Sequence, residues 1–315
     1  MARDCPTQRG RSCSGERPQL NVGVLGATGT VGQRFVLLLD GHPDLRLHAL
    51  GASAKSAGKV YSDAVRWKLP SPPPAHAAAM VVKGCDPESF VDCDLVFSAL
   101  DSDVAGEIGE RSIFEHALRA AVAAVDDGVA LRRVCSPFPP DTGRRQGRGY
   151  SYRSFGAQMA FIKANVPVFS NAMNYRNNAA VPLVVPLANP SHLDLIPHQR
   201  SVHGVERGFL VTNSNCSTAG LAVVLQALKE AFGAAPDRVM VTTLQAISGA
   251  GYPGVASLDI LDNVVPYISG EEGKVETEPL KILGSLDPSG AALAPLAGMK
   301  ISATCNRVPV VDGHT

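Results

Sequence analysis

The sequence has no excess of either charge: 29 Lys and Arg residues balance 29 Asp and Glu residues over 315 positions. No global field therefore draws the chain to nucleic acid or to a membrane surface. It lacks an apolar run of the roughly 18–20 residues that a bilayer span requires. It also lacks a C-x-x-C pair and any Cys/His group with zinc spacing. Its seven cysteines (5, 13, 85, 93, 135, 216 and 305) are odd in number. This reads as free thiols in a reducing compartment and no metal site. Residues 1–18 have no apolar core of a secretory signal and carry four arginines with Asp4 and Glu16. The cytosol is the expected location, with an organelle transit peptide as the alternative.

What is present is length enough for two domains and a sizeable core. Leu20 to Gly26 reads as a buried strand, Val31 to Leu39 as a helix, and Leu45 to Ala52 and Asp94 to Leu100 as further strands. Strands alternating with helices predict a Rossmann-type, doubly wound parallel sheet. Val239 to Ile247 is long and β-branched, and the later segments mix strands with short helices. The expectation is therefore an α/β chain with a tail at 1–19, a cofactor domain at 20–214 and an α+β catalytic and dimerisation domain at 215–315. Residues 109–158 break the rhythm. From Leu131 to Gln158 there are six arginines, no lysine and one acid, Asp141. That stretch reads as a disordered insert, with a basic arm for an anionic partner or a translated non-coding segment as the other readings.

The first strand runs into Gly26-Ala27-Thr28-Gly29-Thr30-Val31-Gly32, which opens the first helix. Glycines permit a tight turn, and the helix N-terminus then meets a pyrophosphate. Gly26, Thr28, Gly29, Thr30, Val31 and Gly32 are thus candidate dinucleotide contacts. After the second strand come Ser53, Lys55 and Ser56, with no acid to grip a ribose 2′-hydroxyl. Hydroxyls and an ammonium suit a 2′-phosphate, so NADP is expected rather than NAD.

Cys216 lies in Asn213-Ser214-Asn215-Cys216-Ser217-Thr218, between the apolar run Gly208 to Val211 and the helical stretch Leu221 to Phe232. A thiol at a helix N-terminus feels the positive end of the macrodipole, which favours the nucleophilic thiolate. It needs a base. Of eight histidines, His42, His48, His76 and His116 read as surface or insert positions. His192, His198 and His203 read as structural or exposed residues of a polar loop. His314 follows an apolar strand, Val308 to Val311, and a turn, Asp312-Gly313. Spacing alone leaves it open between a base and a terminal surface histidine.

Nine segments, taken together, resemble aspartate-semialdehyde dehydrogenase in its fungal and archaeal branch. They are GATGTVG (26–32), ASAKSAGK (52–59), SALDSDVAGE (98–107), SNAMNYR (170–176), VPLANPSHL (185–193), SNCSTAG (214–220), LQAISGAGYPG (244–254), ETEPLKILG (276–284) and ATCNRVPVVDGHT (303–315). The resemblance implies roles. Cys216 is the nucleophile, preceded by Asn215, and His314 is the acid/base. Arg307 binds the substrate α-carboxylate and Gln245 orients the substrate. In Glu278-x-x-Lys281 the carboxylate faces the α-amino group and the lysine faces phosphate, with Arg176 as the second phosphate-binding residue. Ser98 belongs to the cofactor site, and Ser248 and Gly249 to the loop beside the nicotinamide. It further implies reductive dephosphorylation of L-4-aspartyl phosphate to the semialdehyde through a Cys216 thioester, in a homodimer or homotetramer serving biosynthesis of the aspartate-family amino acids.

Two departures stand out. Met173 occupies a position where the family usually has lysine. The family's chain continues past the histidine, whereas His314 is here the last residue but one. A frayed terminal histidine holds no fixed geometry, so low activity and reduced stability are expected. The competing functions are N-acetyl-γ-glutamyl-phosphate reductase, malonyl-CoA reductase, and a catalytically dead NADP-binding protein.

Overall fold

The computed structural model describes residues 19–100 and 152–315. Strands β1 (Leu20–Leu25), β2 (Leu45–Gly51), β3 (Leu95–Ser98), β4 (Val168–Ser170), β5 (Leu183–Val184) and β6 (Leu210–Asn213) form one sheet. Its order is β2-β1-β3-β4-β6-β5, and every neighbouring pair is parallel. Helix α1 (Thr30–Leu39) buries Val31, Phe35, Val36 and Leu39 on one face of the sheet, against Val22, Val24, Leu47 and Phe97. Phe35 stacks on Phe97 with centroids 4.8 Å apart. Helix α2 (Tyr152–Lys163) places Phe161 and Ile162 on the opposite face, with Leu25, Phe90, Val96 and Val168. Apolar cover on both faces is what a parallel sheet requires, and the strands accordingly read as continuous apolar runs.

Beyond the sheet, helix α3 (Ile196–His203) leads back to β6, and α4 (Cys216–Phe232) follows at once. Strands β7 (Arg238–Gln245) and β10 (Lys300–Arg307) pair in parallel from Arg238↔Lys300 to Gln245↔Arg307. Helix α5 (Glu271–Ile282) packs behind them through Val275, Ala303 and Cys305, and against α4 and β5 through Ile282, Ala219, Ala222 and Leu183. Strands β8 (Ser285–Leu286) and β9 (Leu293–Ala294) make a short antiparallel hairpin.

Several expectations shift. The apolar residues Val308 to Val311 are not a strand; the strand is β10, ending at Arg307. Pro309 has no N–H for a ladder, and the chain turns instead. His198 and His203 lie on α3 rather than in a loop, and His192 lies in a 3-10 turn, Pro190–Leu195. Gln19, placed in the tail, donates to His42 O at 2.7 Å. The stretch 109–158 lies mostly outside the described residues, but its end belongs to α2. There Gln158 is fully buried and donates to Ser98 Oγ (3.2 Å) and Ser170 Oγ (2.7 Å).

Candidate active site at the start of the Cys216 helix

The phosphate turn is built as its sequence demands. Gly26 adopts φ +75°, open to glycine, and a Cβ there would meet Ala99 O at 2.5 Å. A Cβ on Gly32 would lie 2.2 Å from Gly26 O, so strand and helix meet at a distance only glycine permits. Gly29 is the N-cap of α1 and caps without a side chain, leaving the first-turn amides of Thr30, Val31 and Gly32 for an anion. Tyr61 Oη donates to Ala27 O (2.8 Å) and Gln33 Nε2 to Thr28 O (3.0 Å), which brace the turn from behind. The loop carrying Ser53, Lys55 and Ser56 is next to it, joined by Ala27 N to Gly51 O at 2.9 Å. Ser53 and Lys55 are exposed. Ser98, at the end of β3, is 0% exposed and its hydroxyl accepts from Gln158 Nε2 at 3.2 Å.

Cys216 is the first residue of α4 and half-buried. Asn215, 0% exposed, is the N-cap, and its Oδ1 accepts from Thr218 N at 3.1 Å. Two carboxylates of α5 grip the same residue. Glu278 Oε2 accepts from Asn215 N (2.7 Å) and Glu271 Oε1 from Asn215 Nδ2 (2.6 Å). Glu278 Oε1 also pairs with Arg176 Nη1 at 3.1 Å, both side chains being buried. Removing either partner would leave a buried unpaired charge, at a cost of about 3–5 kcal/mol.

Lys281 is arranged differently from the expectation that it faces phosphate. Its ammonium donates to the carbonyls of Arg176 (2.6 Å), Asn178 (2.7 Å) and Val181 (2.7 Å), using all three donors. It ties α5 to the turn that carries Arg176. Burial pushes its pKa down to about 7, against the Glu278 carboxylate, which holds it up. His192 is buried and structural, as expected, between Asn189 Nδ2 (2.9 Å) and Gly284 O (3.3 Å). Burial lowers its pKa. Met173 begins the 3-10 turn Met173–Tyr175, immediately before Arg176.

On the other side, the end of β7 gathers the remaining residues. Gln245 Nε2 donates to Ser217 Oγ (3.1 Å) and to Glu271 Oε1 (3.3 Å), and its Oε1 faces Arg307 Nη1 at 3.5 Å. Arg307 Nη1 also donates to Ala246 O at 2.8 Å. His314 Nδ1 accepts from Ala246 N at 3.0 Å. A backbone N–H at Nδ1 leaves the neutral ring's proton on Nε2, which is buried and has no partner among the described residues. The expected fraying of His314 is not what the structure has. Thr315 N donates to Leu244 O (3.0 Å), Leu244 N to Thr315 O (2.6 Å), and Ile247 N to Val310 O (2.8 Å). The segment is laced to the end of β7 and the loop after it. Gly249, expected beside the nicotinamide, is packed on this pair: a Cβ there would lie 2.7 Å from Arg307 Nη1 and 3.0 Å from His314 Nε2. Ser248 Oγ donates to Asp312 Oδ1 at 3.0 Å.

Glu271 is the residue that motif reading missed. Its signal was a second Glu-x-x-Lys unit, Glu271/Lys274, seven residues before Glu278/Lys281. Seven residues is about two helical turns, which places both carboxylates on one face.

A parallel sheet with a glycine phosphate turn, joined to a cysteine-led helix and a polar cluster, defines a two-part nucleotide-dependent dehydrogenase. Residues 21–133 match the family model described as semialdehyde dehydrogenase, NAD binding domain, and residues 225–315 the one described as semialdehyde dehydrogenase, dimerisation domain. An aspartate-semialdehyde dehydrogenase of Cryptococcus neoformans is 51% identical over 304 residues, 95% of this chain and 69% of its own length. One from the archaeon Methanothermobacter thermautotrophicus is 40% identical, over 94% of this chain and 69% of its own. A crystal structure of aspartate semialdehyde dehydrogenase with NADP from Candida albicans superposes with a TM-score of 0.72 at 43% identity, covering 94% of this chain and 69% of that one. The chain belongs to the aspartate-semialdehyde dehydrogenase family. The first family match continues to residue 133, well into the stretch read as an insert.

Proposed function

We propose that the chain catalyses the NADP-dependent interconversion of L-4-aspartyl phosphate and L-aspartate 4-semialdehyde through a thioester on Cys216. The observation that carries this reading is the convergence of Cys216, Gln245, Arg307 and His314 around the start of α4 and the end of β7. The phosphate turn and the Ser53–Lys55–Ser56 loop would hold NADP; the close approach at Gly26 and Gly32 and the absence of an acid from Ala52 to Lys59 both suit it. When bound, that cofactor supplies the hydride.

The chain's own residues do the rest. The Cys216 thiolate, favoured at the helix N-terminus, attacks the acyl carbon. Arg307, with a planar guanidinium suited to carboxylates, takes the α-carboxylate, and Gln245 orients the substrate beside it. Arg176, held in place by Glu278 and by the Lys281 anchor, is the residue assigned to the phosphate. His314 presents Nε2–H as a donor to the developing oxyanion, while phosphate departs as the anion and needs no proton from the ring. Glu278 is assigned to the substrate amine by resemblance, and its oxygens accept from Asn215 N and Arg176 Nη1. The dimerisation-domain match and exposed apolar side chains in that stretch (Met240 and Leu258 each 91% exposed, Val311 76%) support a homo-oligomer, a homodimer or a pair of dimers. No described helix is long and apolar enough to cross a membrane, and a cytosolic enzyme is the reading adopted.

The test is phosphate-dependent reduction of NADP with aspartate semialdehyde. The wild-type chain should turn over, and Cys216→Ala should abolish turnover while retaining NADP binding. Near-normal turnover in Cys216→Ala would sink the nucleophile assignment. Preference for N-acetyl-γ-glutamyl semialdehyde would sink the substrate.

A further inference from the structure

Resemblance assigns Glu278 to the substrate amine, yet its side chain is 3% exposed and both of its oxygens are engaged within the chain. Oε1 pairs with Arg176 Nη1 at 3.1 Å, and Oε2 accepts from Asn215 N at 2.7 Å. Asn215 immediately precedes Cys216 and caps its helix. One carboxylate therefore joins the start of the nucleophile helix to a guanidinium. That guanidinium is fixed at a second point, where Nη2 donates to Asn171 O at 2.8 Å. About one helical turn beyond Glu278, Lys281 Nζ holds the carbonyls of Arg176, Asn178 and Val181. The backbone of Arg176 is thus held by the same helix as its side chain. A guanidinium has five N–H donors; these bonds occupy two, which leaves Arg176 able to take an anion.

We propose that Glu278 is a positioning residue rather than a contact for the substrate amine: it fixes the Arg176 guanidinium, and with it the phosphate, relative to Cys216. The proposal rests on the roles given above to Cys216 and Arg176. A carboxylate serves here because it accepts at both oxygens. A carboxamide has one accepting oxygen, and its NH₂ end would face Asn215 N or Arg176 Nη1, donor against donor. One of the two joints must then open. The two roles also differ in what they control. An amine contact sets affinity for the aldehyde, which carries the amine. A joint to Arg176 sets affinity for phosphate, which enters as a separate substrate when the aldehyde is oxidised.

The experiment compares Glu278→Gln with wild type in the full chain, in phosphate-dependent reduction of NADP by aspartate semialdehyde. The KM for phosphate should rise about tenfold or more, the scale of a misplaced charge-assisted contact. The KM for the aldehyde and the NADP dissociation constant should stay within twofold. In an Arg176→Ala background, Glu278→Gln should change the phosphate KM less than twofold, because the residue it acts through is gone. A phosphate KM within twofold of wild type would overturn the proposal, and a rise in the aldehyde KM alone is the signature of an amine contact. Equal rises in phosphate KM and in aldehyde KM or NADP binding would also overturn it, since the effect would then be global. So would a full further rise in the Arg176→Ala background. If Glu278→Gln does not fold, Glu278→Asp, which keeps both acceptors but withdraws them by one methylene, is read in the same way. If the wild-type chain itself shows no turnover, the proposed function fails, and titration with inorganic phosphate decides the role of Glu278. Wild-type binding that the variant weakens about tenfold upholds it; unchanged or absent binding overturns it.

Discussion

Gly249→Ala adds one methyl group where the site has no room for it. The new Cβ would lie 2.7 Å from Arg307 Nη1 and 3.0 Å from both Cε1 and Nε2 of His314. Comfortable contact needs about 3.5–4.0 Å, so the guanidinium or the imidazole must withdraw by roughly 0.5–1 Å. Gly249 is not among the positive-φ glycines, so the backbone itself accepts alanine without strain. The obstruction is the ends of two side chains, and each is held. Arg307 Nη1 donates to Ala246 O at 2.8 Å, and His314 Nδ1 accepts from Ala246 N at 3.0 Å. Stability should fall modestly, by about 1 kcal/mol, at the low end for an overpacked site. Catalysis should fall far more. A misplacement near 1 Å costs on the order of 100-fold, equivalent to about 2.7 kcal/mol in kcat/KM. The assay is steady-state kinetics with aspartate semialdehyde and phosphate, alongside NADP titration and urea denaturation of the same variant. The reasoning is refuted if kcat/KM stays within threefold of wild type. It is also refuted if NADP affinity falls as much as kcat/KM, since Gly249 would then act on the cofactor.

Three further outcomes follow from the same geometry. Burial pushes the Lys281 pKa down from 10.5 to about 7 in the folded chain; the unfolded state therefore holds more protons across that window, so stability should rise with pH through it. Lys281→Met should remove this slope, so the Tm difference between variant and wild type should change steadily from pH 6.5 to 9, and a constant difference would contradict it. Asn215→Ala deletes the cap on Thr218 and strips a donor from Glu271, which should cost about 2 kcal/mol in urea denaturation. Gly32→Ala drives a Cβ to 2.2 Å from Gly26 O and 2.6 Å from Ala27 Cα, both backbone atoms that yield poorly; NADP affinity should drop at least tenfold and stability by about 2 kcal/mol or more.

Much of the site was legible because its parts are local. The phosphate turn is a contiguous run of seven residues, and the need for glycine at 32 comes from a distance within that run, to Gly26 O. Cys216 and its Asn215 cap are adjacent, and the cap bond spans three residues. Glu271 was hidden because its partners are 26 and 56 residues away, and a Glu-x-x-Lys pair on a helix ordinarily marks a solvated surface. Lys281 misled for a related reason. Its type suits an anion, but three carbonyls 100 to 105 residues distant occupy it. The strand expected at Val308 to Val311 reflected apolar composition alone, which carries no information about Pro309 breaking the ladder.

The sequence by itself determined the family, the parallel sheet, the phosphate turn and the place of Cys216 at a helix start, because each is encoded by residue type at short spacing. Tertiary structure decided what each polar side chain does. Whether a buried lysine, glutamate or histidine meets substrate, a carbonyl or another side chain depends on how α5, β7 and the segment after β10 pack around Asn215 and Ala246. His314 illustrates the difference. Its place in the chain predicts a frayed end, yet hydrogen bonds on both sides of Leu244 and one from Ala246 N hold its ring in a single orientation.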